Sequence, residues 1–238
     1  MIMTKYPIIV FILIILIVLA FGIVRMYFLF QKSIALETIM PFKREVPDAK
    51  FRILVLGDST AFGTGADNPA SSTAGRLGQK YPDAEVVNLA ENGLRIAGLE
   101  EILMSIDEDV HFDIVLIQIG ANDIIRLTSM QDVESGIDRI LERSKKFGGK
   151  TIVLHSGDIG EAKFFPWFLR PILSYRSLGV RDIYKRVSPA HGAEYVDLVA
   201  SPVSKLLKDD IEHYYSADLL HLSSEGYGLW YREIESKI

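Results

Sequence analysis

Hydrophobic residues fall along this chain in two patterns, one continuous run followed by a regular alternation. Pro7 to Val24 is an uninterrupted apolar run of eighteen residues. At a helical rise of ~1.5 Å per residue it would reach about 27 Å, close to the thickness of the hydrocarbon layer of a bilayer. Met26 to Phe30 continue the apolar character, and Tyr27 suits a membrane–water interface. The expectation is an uncleaved anchor over residues 1–30, with a transmembrane helix at 7–24. A signal peptide that starts with Lys5 and is cut at Ala20-Phe21-Gly22 is the alternative, but the apolar run passes through that site. Lys5 on one flank and Arg25, Lys32, Lys43 and Arg44 on the other do not select a membrane face for the remainder of the chain. Residues 31–50 contain Pro41 and Pro47 and read as a tether, which leaves 51–238 as the globular domain.

Within that domain short apolar stretches alternate with helical periodicity. Arg52 to Gly57 reads as a strand buried on both faces, because its four central residues are all apolar. Glu85–Ala90, Asp113–Gly120, Thr151–Leu154 and Glu194–Leu198 read as four more. Between them lie a short helix near Ala74–Lys80 and a helix carrying Ile96, Leu99, Leu103 and Ile106 at helical spacing. Thr128 and Gln131 suggest a capping box that opens a helix with Val133, Ile137, Ile140 and Leu141 on one face, ended by Gly148-Gly149. Val180, Ile183, Tyr184 and Val187 mark a helix stopping before Pro189, and a last helix runs from Ser224 with Tyr227, Trp230 and Ile234 inward. Strands and helices in alternation imply a parallel sheet covered on both faces: a flavodoxin-like, five-stranded, three-layer α/β/α sandwich with its site at the carboxyl ends of the strands.

Composition narrows the function classes. The net charge is −5, so no basic excess invites nucleic acid. There is no cysteine, which removes disulfides, thiol catalysis and Cys-ligated zinc. Gly57, Gly63 and Gly65 lack the Gly-Lys-Ser/Thr of a phosphate loop, and Asp58, Asp123 and Asp218 lack a histidine–carboxylate repeat. Neither a cofactor nor a metal is expected.

Four motifs fall at the carboxyl edge. Ser59 follows the first strand in Gly57-Asp58-Ser59. Gly93 lies beyond the second, in Asn88-Leu89-Ala90-Glu91-Asn92-Gly93. Asn122 follows the third in Gly120-Ala121-Asn122-Asp123, and His221 follows Asp218 in Asp218-Leu219-Leu220-His221 before the last helix. Singly, each reads as a turn, a helix cap or a surface pair. Together, in this order, they make residues 51–238 resemble the SGNH/GDSL hydrolases, and the thioesterase/lysophospholipase-like branch in particular. Two positions depart from the family pattern. Thr60 stands where leucine usually follows the serine, a packing change, and Leu222 replaces a proline that often follows the histidine, which predicts a looser turn.

The resemblance implies the SGNH fold and a serine esterase, and the chemistry of the residues agrees. A serine hydroxyl needs a base, and an imidazole, with an ordinary pKa near ~6.5, can be neutral at working pH. The expected triad is Ser59, His221 and Asp218. Backbone N–H groups of Ser59 and Gly93 and the side-chain amide of Asn122 are the expected oxyanion donors. His155 ends the fourth strand and is expected to line the cavity or cap a loop, and His213 to be solvated. The connection Phe164–Leu173 is unusually aromatic. Either it folds onto the core, or Trp167 and Phe168 form an apolar lip for an acyl chain or the bilayer. The reading is a membrane-anchored hydrolase of carboxylic esters or thioesters, acyl lipids favoured. An O-acetylesterase or acetyltransferase on envelope carbohydrate, and a tethered binding module without activity, are the alternatives.

Overall fold

The computed structural model describes residues 5–36 and 39–238. The apolar run lies in one helix, α1 (Lys5–Leu36), whose segment Tyr6–Leu36 is long and apolar enough to cross a membrane. The domain strands are β1 (Arg52–Gly57), β2 (Glu85–Asn88), β3 (Ile114–Gln118), β4 (Lys150–Leu154) and β5 (Glu194–Tyr195). They form one sheet in the order β2-β1-β3-β4-β5, and every pairing is parallel. The chain moves outward from β1 to β2, then crosses back to β3. The carboxyl ends of β1 and β3 therefore flank the point where the direction of winding reverses, the crevice in which such sheets hold ligands.

Side chains alternate across the sheet because strand residues point to opposite faces in turn. Leu54, Leu56, Val115, Ile117 and Val153 enter an apolar layer with α4 (Ile96–Ser105), α6 (Met130–Ser144) and α7 (Arg170–Ala190). Ile53, Val55, Leu116, Ile152 and Leu154 enter a second layer on the opposite face. That layer holds α3 (Thr73–Lys80), α8 (Pro202–Asp209) and α10 (Ser224–Glu235), whose Tyr227, Trp230 and Ile234 are buried as expected. The fold is thus the expected five-stranded three-layer sandwich. Remaining short helices, α2 (Ser59–Phe62), α5 (Ala121–Ile125) and α9 (Ile211–Tyr214), lie at its edges.

Several local expectations shift. Helix α1 does not stop with the apolar run but continues to Leu36, and Arg44 bridges Val86 antiparallel at the β2 edge, so part of 31–50 is built into the domain. The cap of α6 is Ser129, one residue after Thr128. Its Oγ accepts from the Asp132 N–H at 3.1 Å and donates to the Asp132 carboxylate at 2.7 Å, and Gln131 takes no part in the cap. Helix α7 begins at Arg170, so the end of the aromatic connection is helical, and Pro189 sits in its last turn instead of ending it. A proline there removes one hydrogen bond near a terminus that is frayed in any case. Helices α8 and α9 had no periodic signal strong enough to be expected.

Gly57 shows why β1 must end in glycine. It pairs with Gln118 of β3 and has φ +141°, and a Cβ there would lie 1.8 Å from the Gln118 carbonyl oxygen. On the other side of β3, Tyr184 of α7 is fully buried and its hydroxyl donates to the Ile119 carbonyl at 2.8 Å, fixing the chain just before Gly120. Tyr184→Phe should leave that carbonyl without its partner and lower stability by about 1–3 kcal/mol. The check is the urea midpoint of the full chain in detergent at unchanged slope; a midpoint equal to that of the parent would show that the bond carries no stability.

Candidate active site

The nucleophile candidate is placed by its own turn. Asp58 caps α2: its Oδ1 accepts from the Thr60 N–H at 3.0 Å and from the Thr60 hydroxyl at 2.8 Å. Thr60 is therefore more than a packing change for leucine, because its hydroxyl helps hold the buried Asp58. Burial pushes the Asp58 carboxyl up to about 6, against the pull of the Thr60 bonds, the Ala121 N–H and the His221 charge. Ser59 opens α2, so its backbone N–H belongs to the first turn, where no helical carbonyl can receive it. Two buried side chains steady this turn from outside. Asn88 at the end of β2 donates to the Ala61 carbonyl at 3.2 Å, and the Tyr227 hydroxyl of α10 donates to the Thr64 carbonyl at 2.8 Å.

The imidazole arrives from the opposite end of the sequence. His221 Nε2 is 3.0 Å from Ser59 Oγ, and His221 Nδ1 is 2.6 Å from Asp218 Oδ2. Asp218 is fully buried. Its Oδ1 accepts from Ser216 Oγ at 2.9 Å and from the N–H groups of Leu220 and His221, each at 3.0 Å. Burial opposes the charge, but the hydrogen bond and charge of His221 and the two backbone N–H groups outweigh it and hold the carboxyl at about 2. An ionised Asp218 at that distance draws the ring proton to Nδ1 and leaves Nε2 as an acceptor facing Ser59. The turn is not loosened by the lack of proline. Leu222 is buried and bridges Tyr215 antiparallel, and the Ser216 N–H donates to the His221 carbonyl at 2.8 Å. Gly65 packs against the same turn, where a Cβ would lie 2.9 Å from that of His221.

The proposed oxyanion donors border the same space. Ser59, Gly93, Asn122 and His221 all line one cavity of about 440 Å³. One hydrogen of the Asn122 amide goes to the Leu94 carbonyl at 3.0 Å, which fixes the plane of the group and leaves the second hydrogen to the cavity side. The neighbouring Asp123 is a cap after all, but for another helix: its Oδ2 accepts from the Ile96 N–H at the start of α4 at 3.0 Å. Such an arrangement can present a hydroxyl and several hydrogen-bond donors to one carbonyl group.

The other sequence candidates separate. His155 is buried and caps a turn, accepting from the Gly157 N–H at Nδ1 at 2.9 Å; burial lowers it to about 4, so it stays neutral. His213 is exposed. Among the described residues no group of three His, Asp or Glu is placed to hold a metal ion. Trp167 and Phe168 line neither the cavity beside Ser59 nor the apolar one next to it. Trp167 is exposed and Phe168 lies against Gly22 of α1, while Phe164 and Phe165 supply the aromatic wall. The sequence reading missed the far end of α1 altogether. Phe30 and Ser33 line the catalytic cavity, and Ser33 Oγ is 3.4 Å from His221 Nδ1. Ser33 lies one helical turn after Phe30, but it directly follows Gln31 and Lys32 and so does not stand out in the sequence.

Comparison with known proteins gives the same placement. Residues 55–229 match the model of the GDSL-like lipase/acylhydrolase family. Among solved structures, TesA superposes with a TM-score of 0.63 at 18% identity, over 78% of this chain and 97% of its own. A lipase/acylhydrolase from Enterococcus faecalis gives 0.58 at 21% identity, over 79% and 95%. An acetyl-xylooligosaccharide esterase from Geobacillus stearmophilus gives 0.60 at 17% identity, over 79% and 94%. No curated protein matches significantly in sequence. With the family model covering well over half of its length, this chain belongs to the GDSL-like lipase/acylhydrolase family and is an ester hydrolase of the SGNH fold.

Proposed function

We propose that the protein is a membrane-anchored serine hydrolase of carboxylic esters or thioesters, with acyl lipids as the favoured substrates and Ser59, His221 and Asp218 as its triad. The observation that carries this reading is the unbroken relay from Ser59 Oγ to His221 Nε2 at 3.0 Å and from His221 Nδ1 to Asp218 Oδ2 at 2.6 Å. Ser59 Oγ attacks the substrate carbonyl as its proton passes to Nε2. The carbonyl π pair moves onto oxygen, which the N–H groups of Ser59 and Gly93 and the Asn122 amide receive. The intermediate collapses, the bond to the leaving alcohol or thiol breaks, and the imidazolium returns the proton to that group. Water then repeats the sequence on the acyl-serine with the same base. Asp218 keeps its charge throughout and orients the ring.

Phe30, Ile125, Phe164, Phe165 and Leu220 among the cavity's lining side chains support an acyl substrate, alongside the polar Asn92, Arg126, Ser156 and Asp158. The structural likeness to an acetyl-xylooligosaccharide esterase supports the second reading, an O-acetylesterase on carbohydrate. Helix α1, long and apolar enough to cross a membrane, supports single-pass anchoring over residues 1–30 ahead of the domain at 51–238.

Ser59→Ala should abolish hydrolysis of a p-nitrophenyl ester with the fold intact by circular dichroism; retained turnover would end the assignment. Asn122→Ala should lower kcat by about 10²–10³ through loss of one oxyanion donor. An unchanged kcat would remove Asn122 from that role.

Activity should also fall on acidification, because the attack needs an acceptor for the Ser59 proton. Asp218, held at about 2, stays ionised through this range and adds nothing to the fall. Asp58, raised to about 6, titrates nearby, so the test is a kcat/KM profile of both the parent and Asp58→Asn. Persistence of the acid limb in Asp58→Asn would show that Asp58 is not its source; its disappearance would assign it to Asp58.

A further inference from the structure

A second cavity, of about 640 Å³, adjoins the one beside Ser59. The two share Phe30, Ile125, Phe164 and Phe165, so they meet at these four side chains. One wall of the second cavity is α1 itself, through Ile23, Met26, Tyr27 and Phe30. These positions are three or four residues apart, so they lie on one face of the helix, and Ser33 beside His221 continues that face. From Ile23 to Ser33 the helix rises about 15 Å. The opposite wall comes from the aromatic connection and the start of α7, including Ile172. No charged residue lines this groove, and the Tyr27 hydroxyl is the only side-chain hydrogen-bonding group in it. Helix and connection are held together, because Arg25 donates to the Lys163 carbonyl at 2.7 Å and Leu29 is buried in the apolar layer with Phe164 and Phe165.

We propose that this groove holds the acyl chain of the substrate and that the N-terminal helix is therefore a specificity element of the active site as well as an anchor. The inference rests on the hydrolase reading above and adds the element that measures the chain. The occupant is an acyl tail because one end of the groove abuts, at Phe30, Ile125, Phe164 and Phe165, the cavity that Ser59 lines and in which the ester carbonyl would sit. At its other end it reaches Ile23, inside the apolar run. A lipid in the adjoining leaflet can then present its ester to Ser59 while its tail stays alongside α1. Trp167, Ile172 and Tyr175 are exposed apolar side chains on the connection and α7 and suit an interfacial position beside the same groove.

The test compares labelling of Ser59 by an ethyl and a hexadecyl fluorophosphonate, in which Ser59 Oγ displaces fluoride from phosphorus. It uses the full chain in one detergent. Ile23 and Ile172 are each more than half exposed, so a larger side chain at either fills the groove without repacking the core. Ile23→Trp and Ile172→Trp, on opposite walls, should each lower the hexadecyl-to-ethyl rate ratio by about tenfold or more. Ile12→Trp, on the exposed apolar part of α1 outside the groove, should leave the ratio as in the parent. Labelling by the ethyl probe reports that each variant is folded. A ratio unchanged in both groove variants, with Ser59 still labelled by the ethyl probe, would overturn the acyl groove and leave the hydrolase reading standing. Failure of both probes to label the parent would overturn the hydrolase reading and the groove with it.

Discussion

A carboxylate with no contact to water is the constraint around which this site is built. An ionised group taken out of solvent costs several kcal/mol unless donors replace the lost hydration. Asp218 meets this with four: Ser216 Oγ, two backbone N–H groups and the ring of His221. Those bonds dictate the shape of the loop. The Leu220 and His221 amides must turn toward one oxygen, and Leu219 is driven to φ +61°, a conformation that a residue with a Cβ rarely adopts. The Leu219 carbonyl then faces outward and accepts from the Phe164 N–H at 3.1 Å, which ties the aromatic connection to the same turn. Satisfying one buried charge thus aims the imidazole at Ser59 and seats the wall of the substrate cavity together.

The serine side of the site is held by different means. Its position follows from the close approach of β1 and β3, which admits only glycine at position 57, and from the Asp58 cap of a very short helix. Asn88 and Tyr227 then clamp the turn through backbone carbonyls. None of these bonds crosses to the histidine loop. The two halves meet at Ser59 Oγ and His221 Nε2, through packing at Gly65, and through Ser224, whose Oγ accepts from the Asp67 N–H at 3.0 Å and donates to the Asp67 carboxylate at 2.7 Å. The Ser59 and His221 side chains are thus each fixed by bonds of their own as well as by the contact between them.

The core strands could be read directly from the sequence, because they are buried on both faces and form short apolar runs with no competing interpretation. The four motifs could be read because their residue types are chemically restricted. Element ends were less accessible. Ser129 and Thr128 are both competent caps, and only the tertiary position of the following helix selects Ser129. The aromatic connection offered five large apolar residues over a short span, and composition does not say which face inward. Packing against α1 buries Phe164 and Phe165 and leaves Trp167 outside. The contribution of α1 was hidden for a deeper reason. A helix apolar on every side gives no periodic signal for a protein-facing stripe. Its contact residues Ile23, Met26 and Phe30 look the same as those that would face lipid, and Ser33 sits behind two other polar residues, Gln31 and Lys32.

That contact also changes the meaning of the choice between anchor and signal peptide. Cleavage at Ala20-Phe21-Gly22 would remove the part of α1 whose side chains are exposed. It would retain Arg25, which grips the Lys163 carbonyl, Leu29, which is buried in the domain core, and Phe30 and Ser33, which line the catalytic cavity. The segment from Ile23 onward therefore belongs to the hydrolase domain in packing terms, whichever membrane role the preceding residues play. A flexible tether would let the domain tumble over the membrane surface. Here the helix enters the domain as a rigid rod, with hydrogen bonds and apolar burial on one face. The orientation of the cavity beside Ser59 relative to the axis of α1 is therefore set by the fold.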